Sequence, residues 1–107
     1  MKTEILFAIK AAKRSVSSRR IGASARRSDG VIVSSHNGRG RTPIPHGHAE
    51  VRLARKLDVG ARVIVIRLKK DGSLAMARPC ANCERRLRLA GVGVIWYSDD
   101  RGEVVRL

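Results

Sequence analysis

Apolar residues along this 107-residue chain recur in two rhythms, one helical and one extended. Ile5, Ile9, Ala12 and Val16 fall at helical spacing, and Leu6 and Ala8 widen the stripe, so residues 2–16 are predicted to form a helix. Ser17-Ser18-Arg19-Arg20 reads as a connector. Residues 21–26 and 31–36 read as short strands joined by Ser28-Asp29-Gly30, a good hairpin turn. Gly38, Gly40 and Gly47, with Pro43 and Pro45, mark residues 38–47 as a loop. A second helix over residues 48–57 would bury Val51, Leu53, Ala54 and Leu57, with Gly60 beyond its end where a left-handed cap is common.

The second half opens on the apolar, β-branched run Val63-Ile64-Val65-Ile66. It predicts a strand over residues 61–68 that is buried on both faces. Residues 69–72 form a turn, and residues 74–77 lead into a third helix over residues 80–89. Leu87 and Ala90 should face inward there, and Gly91 ends the helix. Strands are expected over residues 92–97 and 104–107, with a turn at residues 99–102. The order is therefore α-β-β-α-β-α-β-β. The central strand–helix–strand–helix–strand run predicts two right-handed crossovers and parallel neighbours, while the short last connection permits only an antiparallel hairpin. Residues 1–107 read as one α/β domain without repeat or linker.

Composition narrows the class. An apolar content of 43% fits a globular fold with one modest core at this length. No apolar run approaches the roughly 20 residues that a membrane span needs. Lys2, Glu4, Lys10, Lys13 and Arg14 interrupt any secretory apolar core, so a cytoplasmic location is expected. The charge is unusual: 23 Lys and Arg stand against 9 Asp and Glu, a formal +14. The cations run from Lys2 to Arg106, with pairs at Arg19-Arg20, Arg26-Arg27, Lys69-Lys70 and Arg85-Arg86. Such a body attracts polyanions in a strongly salt-dependent way. Solubility, an arginine-rich host or neutralisation within an oligomer would account for the same charge. The aromatic set is only Phe7, Trp96 and Tyr97, whereas single-strand binders usually stack bases on several rings.

Two motifs carry the chemistry: His48-Ala49-Glu50 and Pro79-Cys80-Ala81-Asn82-Cys83, the latter holding both cysteines of the chain. One imidazole and two thiolates hold a zinc ion on three sides and leave the fourth open, as in catalytic zinc sites. Cys80 and Cys83 at a helix start put both sulfurs on one side, where the helix dipole favours the thiolate. Glu50 is placed to move protons. As a mere helix N-terminal charge it would contribute about 0.3–1 kcal/mol. Taken separately, a Cys-x-x-Cys fits a redox pair or half a zinc knuckle. His36 and His46 leave a structural Cys2His2 site as the alternative.

On these residues the chain resembles the cytidine deaminase superfamily, from Ile21-Gly22-Ala23 to the final hairpin. That family's strand, turn, strand and asparagine match Ile21-Gly22-Ala23-Ser24-Ala25, Asp29-Gly30, Val31-Ile32-Val33-Ser34 and Asn37. Its zinc motifs match the two named above. The resemblance implies a three-layer α-β-α sandwich with a mixed five-stranded sheet and an antiparallel last strand. It implies Zn2+ held by His48, Cys80 and Cys83 between two helix starts, with Glu50 as the catalytic proton carrier. It also implies that the Ala49 N–H faces a pyrimidine carbonyl and that Asn37 bonds the sugar. Arg39 and Arg41 are candidate phosphate contacts on the neighbouring loop. Tyr97 is a candidate for the pocket mouth, while Trp96 reads as core.

A hairpin ending looks like the free-nucleoside and blasticidin deaminase branch. Enzymes similar to the polynucleotide deaminases place a helix between the last two strands. The expected function is hydrolytic conversion of cytosine to uracil in a small-molecule nucleoside or nucleotide, by a homo-oligomer with no membrane partner. The alternatives are a deaminase of single-stranded DNA or RNA, and a basic nucleic-acid-binding or virion-associated protein with a deaminase fold.

Overall fold

The computed structural model describes residues 2–17, 19–38 and 48–107. In chain order the elements are α1 (Lys2–Arg14), β1 (Arg20–Arg26), β2 (Ile32–His36), α2 (Ala49–Ala54), β3 (Arg62–Leu68), β4 (Leu74–Ala75), α3 (Ala81–Leu89), β5 (Val94–Ser98) and β6 (Val104–Arg106). The strands form one open, mixed sheet in the order β2-β1-β3-β5-β6, and β4 pairs with β3 off that path. β3 and β5 are parallel, and β5 and β6 form the expected antiparallel hairpin. The two-residue β4, which the sequence suggests only as a lead-in, pairs with Arg67 and Leu68 beyond the stretch of β3 that β5 occupies.

One expectation of neighbourhood fails. β2 and β3 run in the same direction but are not neighbours, because β1 lies between them and is antiparallel to both. Burial explains the placement. Gly22, Ala23, Ser24 and Ala25 are all buried, small enough to sit under layers on both faces. Every residue of β2 is only half-buried, as suits an edge strand.

β3 is the axis of the core. Val63 and Val65 belong to a cluster with Ala49, Leu53, Leu87 and Ile95, which places α2 and α3 on that face. Ile64, Ile66 and Leu68 point the other way and meet Ala8 and Ala12 of α1. Each fully buried aliphatic side chain contributes roughly 1.5–3 kcal/mol, so this strand anchors both clusters.

α1 does not bury the stripe that its bulky residues suggest. Its buried positions are Glu4, Ala8, Ala11 and Ala12, while Ile5 and Ile9 are half-buried and Leu6 and Val16 are exposed. The alanine face lets the helix approach β1 at Gly22 closely enough that a methyl there would strike the Ala8 carbonyl and the Ala12 amide. Across this contact the Ser24 hydroxyl donates to the Glu4 carbonyl, and Arg26 pairs with the Glu4 carboxylate at 3.2 Å. Burial alone would raise the Glu4 carboxyl, but the Arg26 hydrogen bond and charge help hold it below its ordinary value.

The helices are also shorter than predicted. α1 stops at Arg14 because Ser15 turns the chain, its N–H bonding the Ala12 carbonyl at 3.1 Å. α2 ends at Ala54. Beyond it, Lys56 N–H bonds Leu53 O at 2.8 Å and Leu57 N–H bonds Ala54 O at 3.4 Å, a tightened last turn. Among the described residues no helix is long and apolar enough to cross a membrane.

Candidate metal centre

Two helix starts meet on the face that α2 and α3 cover. His48 is the extended N-cap of α2 (φ −78°, ψ 144°), and Cys80 is the extended N-cap of α3 (φ −67°, ψ 163°). Neither side chain caps its own helix with a hydrogen bond. Their carbonyls start the helical ladders, accepting from Arg52 N–H at 3.1 Å and Glu84 N–H at 2.9 Å. Cys83 lies within the first turn of α3, fully buried, with its sulfur 3.1 Å from His48 Nδ1. The ligand atoms of His48, Cys80 and Cys83 all lie within 4.8 Å of one another, so this group can hold a metal ion. It is the one such group among the described residues. Cys80 is exposed, so the centre opens to solvent on that side.

The cysteine segment is held from behind by Ser98, which the sequence does not single out. Its hydroxyl donates to Ala75 O at 2.6 Å and accepts from Arg67 N–H at 3.2 Å, while its carbonyl accepts from Ala77 N–H at 2.8 Å. Ser98 is itself fully buried. The chain just before Pro79-Cys80 is thereby tied to the end of β5. The only signal in the sequence is a serine closing an apolar strand, which is too common to read.

Glu50 is 6% exposed. Burial pushes its carboxyl above the ordinary value, and its own backbone hydrogen bond, the His48 charge and a Cys83 hydrogen bond pull it only part of the way back. The Cys83 thiol is pushed up by burial first, then by the Glu50 charge and by Cys80. Two buried acidic groups, Glu50 and Cys83, thus crowd one spot, an arrangement that a divalent cation balances.

The other predicted positions fare differently. Ala49 is fully buried as the first residue of α2. Tyr97 is half-buried against the cluster that contains Ala49 and Leu53, on the sheet face of the centre, whereas Trp96 packs on the α1 face. Asn37 has structural work that the sequence does not suggest. Its Oδ1 accepts from Ser15 Oγ at 2.6 Å and Ile21 N–H at 3.0 Å, and its Nδ2 donates to Arg19 O at 2.5 Å. The amide ties the end of α1 to β1 and β2, and one amide N–H is left for any sugar. His36 bonds the Asn37 carbonyl through Nδ1 at 3.0 Å and is not part of the donor group. Arg39, Arg41 and His46 lie outside the described residues.

No protein-family model matches the chain, and no curated protein matches it.

Proposed function

We propose that this protein is a zinc-dependent hydrolytic deaminase of the cytidine deaminase type, converting cytosine to uracil in a nucleoside or nucleotide with release of ammonia. The observation that carries this reading is the convergence of His48, Cys80 and Cys83 within 4.8 Å, with the buried Glu50 two residues from the imidazole. One nitrogen and two sulfurs are a borderline-soft donor set that suits zinc and leaves a fourth position free. His48, Cys80 and Cys83 would hold the zinc ion, which when bound would supply the nucleophile by lowering the pKa of a water toward neutrality.

The protein's own groups do the rest. Glu50 accepts a proton on its carboxylate and returns it to the ring nitrogen beside the reacting carbon, then carries a second one to the departing amine. The Ala49 N–H is among the first of α2 and lacks an intrahelical acceptor, so it is free to donate to the ring carbonyl. Tyr97 borders the base, and Arg39 and Arg41, outside the described residues, are the candidates for the phosphate of a nucleotide. In this reading α1 on one face of the sheet and α2 with α3 on the other make the three-layer sandwich of that family, and β2-β1-β3-β5-β6 is its five-stranded sheet. The antiparallel β5–β6 hairpin supports a small substrate. Two metal-binding thiolates suit the reducing cytoplasm.

Metal removal tests the reading. Protein stripped with a chelator should release no ammonia from deoxycytidine, and one equivalent of zinc should restore the rate. Cys83→Ser and His48→Ala should not retain zinc through dialysis, as read by metal analysis. Full activity in the stripped protein would show the reading to be wrong.

A further inference from the structure

A cleft of about 390 Å³ runs along the outer edge of β2, between α1 and α2. Arg14 stands on one wall and Arg52 and Lys56 on the other, with Ser34 and His36 along the floor and no carboxylate among the lining residues. Among the described residues none of these three cations is paired with an acid.

The backbone of the edge strand adds to this. Arg27 N–H bonds Val31 O at one end of the hairpin and Asn37 N–H bonds Ile21 O at the other. In the alternating antiparallel pattern, Ser34 opposite Ser24 and His36 opposite Gly22 therefore turn their N–H and C=O away from β1. Within the cleft both of these outward carbonyls are already taken: Lys56 Nζ donates to Ser34 O at 2.7 Å and Arg52 Nη1 to His36 O at 3.3 Å. Along this part of the edge a further strand therefore finds neither carbonyl free. What remains is N–H donors and uncompensated positive charge, which is a surface for anions.

We propose that this cleft binds the phosphodiester backbone of a single-stranded nucleic acid. Arg52 in α2 and Lys56 in the tightened turn just beyond its end are about one turn apart, so they offer successive cations to a linear polyanion and not a single cage. Arg14 faces them across the groove, and the formal +14 of the chain draws the strand in. No Phe, Tyr or Trp lines the cleft, so the contact reads phosphates and not bases. Its inner end lies one helical turn from the metal centre, because Arg52 N–H bonds His48 O at 3.1 Å. Binding in the cleft is independent of the deaminase reading. Only the consequence that a strand held there leads a base toward Glu50 rests on that reading.

The test is fluorescence anisotropy with a labelled oligothymidylate, which offers no amino group to convert. The triple variant Arg14→Gln, Arg52→Gln, Lys56→Gln should bind roughly 10- to 100-fold more weakly, with a log–log salt slope shallower by about 2. A variant of equal charge, Lys69→Gln, Lys70→Gln, Arg101→Gln, should change affinity by less than about threefold. Arg14→Gln with Lys56→Gln touches only exposed side chains. It should show most of the effect, which guards against misfolding of the triple variant. Equal losses in the cleft and control variants would overturn the proposal. So would displacement of the strand by inorganic phosphate or polyglutamate as readily as by unlabelled oligonucleotide. Cytosine conversion is scored separately. Strand binding in the cleft without conversion of any base would end the deaminase reading alone. Conversion of deoxycytidine with unchanged strand binding by the cleft variants would end the cleft alone.

Discussion

Glu50→Ala should lower ammonia release by the zinc-loaded protein by about a thousandfold or more, with the metal and the fold retained. The size follows from what the carboxylate is asked to do. A positioned general acid–base group contributes about 10²- to 10⁴-fold, and in the proposed reaction one group serves two proton transfers. Stability should not fall in parallel. Burial is the largest influence on the Glu50 carboxyl and opposes its ionised form, so the residue is held at some cost to folding. Glu50→Gln keeps the shape and removes the proton traffic, and it should be as inactive as the alanine variant. The check is the rate at equal zinc occupancy, with thermal unfolding run beside it. A glutamine variant near wild-type rate would remove Glu50 from the mechanism.

Gly22→Ala should be strongly disruptive for a single added methyl. The added carbon would meet the Ala8 carbonyl oxygen and the Ala12 amide nitrogen and Cα, all of them backbone atoms that cannot swing aside. α1 must then lift from β1, which loosens Ala8 and Ala12 from Ile64, Ile66 and Leu68. Overpacking typically costs 1–3 kcal/mol, and a clash with helix backbone belongs at or above the upper end, about 3 kcal/mol. At about 4–8 °C per kcal/mol for a domain near this size, Tm should fall by roughly 12 °C or more. Gly93→Ala is the control, because a methyl there has nothing within 4 Å and should leave Tm nearly unchanged. Equal melting of the two variants would contradict the close seating of α1 on the sheet.

The contrast between α1 and β3 shows what the chain declares and what it hides. β3 is legible because Val63, Ile64, Val65 and Ile66 are bulky on both faces, so no choice of face is needed. α1 is misleading because the eye follows Ile5, Ile9 and Val16, while the sheet selects the alanines that allow contact at Gly22. That choice depends on a residue in another element. The insertion of β1 between β2 and β3 is hidden for a similar reason. Small residues can be core or surface, and only the helices packed on both sides make Ala23, Ser24 and Ala25 a central strand.

The candidate metal centre is legible because its donors are rare and close in sequence: the chain has two cysteines, and both are ligand candidates. The side chains that fix the surrounding backbone are not. Ser98 behind the cysteine segment and Asn37 beside the end of α1 act through hydrogen bonds to groups distant in sequence, which no local pattern announces. Arg52 and Lys56 look like ordinary surface cations until the outward carbonyls of β2 are seen to take a hydrogen bond from each.

The most direct measurement of the central claim is base conversion by zinc-loaded protein on deoxycytidine, deoxycytidine monophosphate and a cytosine-containing single strand, with Glu50→Ala as the blank. In the deaminase reading the wild-type protein yields uracil and equimolar ammonia, and the blank yields neither. Zinc-saturated protein that leaves the cytosine of all three unchanged would contradict it.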